Sequence, residues 1–441
     1  MTSPLFDLER MLPEAELWPC YRRLREEAPI HRVADRENVY ILSRYEDVRA
    51  VLTDAGTFSS SLVAGAESPL LVLSDGERHR RLRAVLAAAF TPAAIELLRE
   101  VAERAADERS RELVRARRGE VVSSWCQPIP CELIGAILGV PPARQSEFLE
   151  LAYNLNSVFF ANAVPGEREA SSREKLTALL PAGLQLARAL GPARGLAMLR
   201  RVAAAAPERG AALSRERLAS CRGIAAFLAF FGRVVRAQRR HPQPNVLGLL
   251  IGAARGGEHG PQATEIEVLM QGLALIVAGI DTTASLFANA VHALCEDRAL
   301  LSTLQQQPAR TGAFVAETLR LWSPVQRTDR RAVRPTVIRG EKIPENAHLV
   351  LLLAAANRDP ERFERPDELR LDRGAGGHLA FGLGPHVCLG RNLALLEAET
   401  ALTTLLAQVA TLDLDPERPA VRIPHPAVFG FTELPVVITP R

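Results

Sequence analysis

Apolar residues recur at three and four spacing among Arg and Glu over residues 80–90, 93–114, 215–240 and 389–409, the pattern of helices that bury one stripe. Strand-like stretches are fewer and shorter. Residues 39–42, 336–339, 348–353 and 436–439 are the best candidates, and prolines or turn residues bracket several of them. The pattern predicts a mainly α-helical protein with small β-sheets, without the regular strand and helix alternation of a doubly wound fold. No fixed-period repeat, low-complexity tract or Ser/Gly linker interrupts it, so a single domain over residues 1–441 is expected.

The longest helix marks its own start. Thr264-x-x-Glu267 has the spacing of a capping box, in which hydroxyl and carboxylate satisfy free backbone donors. The pattern continues through Leu269 to Ile280 and on towards Leu294, a rod of about 45 Å at 1.5 Å per residue. Its middle is apolar on every side and so should be buried, yet Asp281, Thr282 and Thr283 stand there just after Gly279. A buried carboxylate without a partner is costly. Either the hydroxyls bond back to the preceding turn and the Asp is paired across the core, or the helix, loosened by glycine, carries a polar notch for a ligand or a proton path.

Charge excludes some partners. The 441 residues hold 54 Lys and Arg against 51 Asp and Glu, a net +3 that is too weak a surplus to suggest nucleic acid. Only Lys175 and Lys342 are lysines, so the arginine richness reads as compositional bias. Residues 1–20 lack the layout of a secretion signal, and no uninterrupted apolar run reaches the roughly 18 residues of a membrane span. A cytoplasmic protein with no membrane span is expected. The cysteines Cys20, Cys126, Cys131, Cys221, Cys295 and Cys388 are scattered, without the close pairs of a zinc site or the density of a disulfide scaffold.

Cys388 differs through its neighbours. In His378-Leu-Ala-Phe381-Gly382-Leu-Gly384-Pro-His386-Val-Cys388-Leu-Gly390-Arg391, glycines and a proline preclude a regular element and imply a tight loop. A helix follows, expected from near Leu389 with Leu393 and Leu396 on one face. A cysteine at that helix start, beside N–H groups and basic residues, is expected to have a lowered thiol pKa. On those grounds alone it is a structural cysteine, a nucleophile or a metal ligand.

Phe381-x-x-Gly384-x-x-x-Cys388-x-Gly390 resembles the haem-binding signature of the cytochrome P450 family, with each fixed position filled. In the family's order stand Ala278-Gly279-Ile280-Asp281-Thr282-Thr283, similar to the oxygen-binding segment of the central helix, and Glu317-x-x-Arg320, similar to the core ion pair. Tyr40 to Val48 and His79-x-x-x-Arg83 resemble stretches of the soluble bacterial branch, so the likeness runs from about residue 36 to the C-terminus.

The resemblance implies the cytochrome P450 fold, with haem b sandwiched between a long central helix and the cysteine loop, and dioxygen as co-substrate. Cys388 would be the axial thiolate ligand of the iron, a ligand that favours O–O cleavage. Phe381 and Gly390 would lie beside ligand and porphyrin, and Ala278 against the other haem face. His79, Arg83, Arg330 and His386 would meet the haem carboxylates, a task suited to donor-rich cations. Thr282 would hydrogen-bond oxygen and its delivering water while Asp281 relays protons. Glu317 and Arg320, three apart on a helix, would be structural; where the family often has a third, basic partner this chain offers Glu368, so either Arg370 substitutes or the third contact is missing.

No glycine fingerprint follows a strand, so no flavin or nicotinamide domain is evident. Electrons would come from a ferredoxin and its reductase, docking on a rim of Arg362, Arg365, Arg373 and Arg391. By the same likeness Ala278, Val325, Gln326 and Phe429 would line an apolar substrate cavity. The roof segment between Phe58 and Asp75 is short, and an extra stretch at 180–217 would be an altered lid, an interfacial amphipathic helix or a partner dock, the lid being the plainest choice. A lipophilic terpenoid, polyketide or carrier-bound acyl chain of secondary metabolism suits this arrangement, and a monomer is expected. A peroxide-using or non-oxidative relative, or a haem-binding sensor, is the alternative; Asp281 and Thr282 weigh against each.

Overall fold

The computed structural model describes residues 11–152, 215–254 and 264–441, less positions 35, 63, 65–67, 88–89, 242, 244 and 375. The stretch expected as a lid insert lies outside the described residues, except for 215–217, which begin a helix. The chain divides into two compact units, one of Met1–Arg83, Phe90–Pro130 and Thr282–Arg441, the other of Ala84–Ala89 and Cys131–Asp281.

In the first unit, α1 (Glu14–Glu27) leads into β1 (Ile30–Arg32) and β2 (Val39–Leu42), followed by α2 (Tyr45–Thr53) and β3 (Phe58–Ser59). Helices α3 (Gly76–Ala87), whose last residues from Ala84 belong to the second unit, α4 (Pro92–Glu96) and α5 (Arg99–Ala116) follow, then β4 (Arg118–Glu120) and α6 (Pro128–Ile137), which belongs to the second unit from Cys131 onward. The single helix expected over 93–114 is thus broken at Leu97–Leu98. Thr91 caps α4 by accepting from the Ala94 N–H, and the Leu98 N–H closes on Ile95 O instead of continuing the ladder. Spacing alone cannot register such a one-turn break.

The second unit carries α7 (Arg215–Arg240), α8 (Val246–Ala254) and the first half of α9 (Glu265–Glu296). The capping box forms as expected: the Thr264 N–H donates to Glu267 Oε2 at 2.7 Å and the Glu267 N–H to Thr264 Oγ1 at 3.2 Å. Helix α9 runs unbroken through 279–283. A Cβ on Gly279 would lie 2.6 Å from Ile134 Cδ1, so this glycine serves close packing and does not loosen the helix. Met270–Glu296 is also the one helical stretch among the described residues long and apolar enough to cross a membrane, and 61% of its most apolar window is buried inside the protein, as in a core helix.

After α9 come α10 (Arg298–Gln306), α11 (Thr311–Leu321), β5 (Thr328–Ala332), a small hairpin of β6 (Thr336–Ile338) and β7 (Glu341–Ile343), β8 (His348–Leu351) and the short α12 (Leu353–Ala356). Helix α13 (Arg391–Gln408), β9 (Val409–Leu414), β10 (Val421–Arg422), β11 (Phe431–Glu433) and β12 (Pro435–Pro440) finish the chain. The largest sheet has the order β1-β2-β8-β5-β3, with β2 and β8 parallel. Leu42, Val48, Leu349 and Leu351 pack on one side of it, and Tyr21, Leu24, Ile41 and Val350 on the other. That alternation sets the register of β8.

Candidate active site

The cysteine loop is closed by its own backbone. The Cys388 N–H donates to Phe381 O at 2.8 Å, Val387 to Gly384 O at 3.1 Å and Gly382 to Leu379 O at 2.8 Å. Gly382 and Gly384 take φ of +67° and +73°, where side chains are strained. A Cβ at Gly384 would also meet Leu52 O at 2.5 Å, so the loop lies directly on the end of α2. Helix α13 starts at Arg391, two residues later than the pattern suggested.

Asn357 ties this loop to the core. Its Oδ1 accepts from the Leu379 N–H at 2.6 Å, its Nδ2 donates to Ser323 Oγ at 2.9 Å, and its carbonyl accepts from Arg320 Nη1 at 3.1 Å. Arg320 in turn forms a two-pronged pair with Glu317, at 2.7 and 2.8 Å, and donates to the carbonyls of Pro366 and Glu368. Both members are buried, as expected of a structural pair.

The third partner is not the residue expected. Arg370 supplies only its backbone N–H, 3.0 Å from Glu317 Oε2, while its guanidinium turns outward to Asp372. Arg373 Nε reaches the Glu317 carboxylate at 3.2 Å, and Glu368 gives its carbonyl rather than its carboxylate. Burial would raise the Glu317 pKa, but Arg320, the Arg370 N–H and Arg373 outweigh it and hold the carboxyl below its usual range. Arg373 is therefore engaged in the core and leaves the expected docking rim. Arg365 is paired with Glu368, Arg362 lies over Tyr45, and Arg391 is exposed 5.8 Å from the Phe381 ring.

Cys388 is an exposed residue of this loop. Burial pushes its thiol up; N–H groups of Gly390 and Arg391 and the charges of Arg83 and Arg391 pull it down without prevailing. The expectation of a lowered thiol pKa is thus corrected, because desolvation outweighs the helix end. The donors nonetheless converge on sulfur, and a coordinated cation deprotonates a thiol outright. A Cβ at Gly390 would enter open space.

The His79 and His386 rings lie against each other, tilted by 44°, with centroids 4.2 Å apart. His386 Nε2 lies 3.3 Å from Asp75 Oδ1. His79 Nε2 is buried and has no hydrogen-bond partner, and burial, with His386 and Arg83 beside it, lowers the His79 pKa to about 4. Arg330, also buried, keeps one donor on Asp329 O at 2.7 Å. Burial lowers its pKa while Asp75 and Asp329 act against this. An orphaned buried donor or acceptor is uncommon in a folded protein, and an unmatched imidazole among arginines fits an acidic group such as a haem carboxylate. The residues present fit haem.

Thr282 and Asp281 are half-buried on α9, and in the second unit the Cys131 thiol is pushed up mainly by burial, with the charges of Glu132 and Asp281 adding to it. Ala278 is exposed on the same helix. Val325 bridges to Val428 and packs against the sheet cluster. Two other expected lining residues have close neighbours of their own. Phe429 packs against Trp18 at 5.1 Å with Arg422 4.2 Å over its ring, and Gln326 is buried against Tyr21 and Ser323. Gln326 and Phe429 nonetheless line one cavity, together with Leu17, Arg422 and Val428.

Sequence reasoning passed over Asn357, Asp75 and the pairing of Arg373. Asn357 left a signal, as the first polar residue after the apolar run 349–356. The other two left none, since one depends on a chain crossing and the other resembles every neighbouring arginine.

Comparison with known proteins shows the family. The sequence model of the family described as Cytochrome P450 matches residues 215–439. Cytochrome P450 109 of Bacillus spizizenii is 30% identical over 436 residues, spanning 98% of this chain and 93% of its own. The structure of CYP109E1 from Bacillus megaterium in complex with corticosterone superposes with a TM-score of 0.76 at 26% identity, covering 95% of this chain and 97% of the other. P450BioI in complex with hexadec-9Z-enoic acid ligated acyl carrier protein gives 0.76 at 26%, covering 96% and 98%.

Proposed function

Because this chain belongs to the cytochrome P450 family and is a haem-thiolate monooxygenase that uses dioxygen, we propose that Cys388 holds the iron of haem b and that the protein oxidises a lipophilic small molecule of secondary metabolism. The observation that carries the reading is the pairing of an accessible Cys388, ringed by N–H donors, with an orphaned His79 in the same unit. Bound haem supplies the chemistry that places one atom of dioxygen on substrate and the other in water. The remaining roles belong to side chains of this chain.

Cys388 gives its thiolate, and the N–H groups of Gly390 and Arg391 limit how strongly it donates. His79, Arg83, Arg330 and His386 hold the haem carboxylates, with Phe381 beside the ligand. The Thr282 hydroxyl holds a proton at the oxygen, and Asp281 brings protons in from solvent. On the family resemblance, Ala278, Val325 and Phe429 are assigned to the substrate lining. Two relatives inform the substrate class: one was solved with a steroid, another with a fatty acyl chain on a carrier protein. A lipophilic substrate, free or carrier-bound, fits both. Electrons arrive from a ferredoxin and its reductase, and the whole chain acts as one cytoplasmic, monomeric catalyst.

The test is the absorbance of the reduced, carbon monoxide-bound protein. A thiolate-type band that is lost in Cys388→Ser is expected; a nitrogen-type spectrum in the wild type would refute the ligand assignment. Substrate-stimulated oxygen uptake with a ferredoxin system then separates turnover from a mere haem sensor, and a low-spin to high-spin change identifies the substrate.

A further inference from the structure

Asp75 is the point at which three separate segments of the first unit meet. It immediately precedes α3, and its carbonyl accepts from the His79 N–H at 3.2 Å. Its Oδ1 meets His386 Nε2 of the cysteine loop at 3.3 Å. Its Oδ2 accepts from the N–H groups of Ser60 and Ser61, at 3.1 and 3.3 Å, and from the Ser59 hydroxyl. Ser59 belongs to β3 and pairs with Arg331 of β5, whose Nε also donates to Ser61 O at 2.9 Å. Arg330 is the neighbour of Arg331 on that strand, and the Asp75 charge reaches it and His79 alike.

One carboxylate thus fixes His386 by contact, His79 through the first turn of its helix, and Arg330 through the strand pair anchored by the serine turn. Burial would push the Asp75 carboxyl up, but hydrogen bonds from His386, Ser59 and the Ser60 and Ser61 N–H groups prevail and keep it ionised. Being negative, Asp75 cannot itself attract another acid. Its service is to orient the hydrogen-bond donors that do. We infer that Asp75 is a positioning residue that assembles the haem-carboxylate cradle from three chain segments, an inference that rests on the proposed role of His79, Arg83, Arg330 and His386.

The test compares wild type, Asp75→Ala and Ser59→Ala, each loaded either with haem or with haem dimethyl ester, whose carboxylates are capped. The readout is the rate of haem transfer to excess apomyoglobin. With natural haem, Asp75→Ala should release it about tenfold faster, the scale of one charge-assisted hydrogen bond; Ser59→Ala should do so to a smaller extent. With the ester the difference should vanish, because the cradle then has no charge to hold. An unchanged rate with natural haem, or the same acceleration with both haems, overturns the inference, the second outcome marking a purely structural residue. A wild type that lacks the thiolate band marks failure of the ligand assignment instead.

Discussion

Replacing Arg373 by alanine distinguishes the observed ion-pair core from the one its sequence suggests. The side chain is 11% exposed and donates to the Glu317 carboxylate at 3.2 Å, with further bonds to the carbonyls of Glu364 and Arg365. Those two residues are exposed, so water replaces the donor there. The loss at Glu317 is not recovered. Hydrogen bonds to a buried charge are worth about 1.5–3 kcal/mol, so Arg373→Ala should cost about 2 kcal/mol. Arg320→Ala removes five donor contacts and strands the Glu317 charge, at about 3–5 kcal/mol. Arg370→Ala should change little, since its side chain lies among surface carboxylates and its N–H persists. Urea unfolding of the haem-loaded protein, followed by tryptophan fluorescence, should rank the losses Arg320, Arg373, Arg370. The pH dependence supplies a second check. Because the folded Glu317 carboxyl is held below its unfolded range, its stabilisation is complete above about pH 4.3 and is lost as the pH falls further. The gap between wild type and Arg373→Ala should therefore narrow in acid. Equal losses from Arg370→Ala and Arg373→Ala would refute the assignment.

Three other outcomes are expected. Thr282→Ala should keep haem and substrate but divert reducing equivalents to hydrogen peroxide, measured as peroxide formed per NAD(P)H consumed; unchanged coupling would remove Thr282 from proton delivery. Gly384→Ala forces a Cβ to within 2.5 Å of Leu52 O at a φ of +73°, so it should weaken haem retention and cost about 1–3 kcal/mol, read from the thermal midpoint. Glu397, buried on α13, has its pKa pushed up to about 8 by desolvation, so its folded form keeps a proton that the unfolded chain releases near pH 4.3. Stability should fall as the pH rises from 5 to 8, by on the order of 3 kcal/mol, and Glu397→Gln should flatten that slope; a slope equal to that of the wild type would show the carboxyl to be ionised in the fold.

What the sequence carried was whatever one segment decides for itself. Val39–Leu42 forms a strand with its expected bounds, because four strand-forming residues between turn signals need no distant partner to declare themselves. The capping box at Thr264 and Glu267 is equally local. Errors arose where two segments share an outcome. The Cys388 thiol depends on how much protein surrounds it, which outweighs the helix end that the sequence displays. Arg373 became a core partner only because the chain from 364 to 373 folds back over Glu317. The same reasoning explains why the cradle cations were legible one by one while the residue that gathers them was not. Each cation matches a motif position, but Asp75 acts through β3, α3 and the cysteine loop together, a junction that exists only after those segments have met. If that is its role, natural substitutions at 75 should accompany changes at 59–61 or 386 and should be independent of the ion pair at 317 and 320, which is braced through Asn357 by separate contacts.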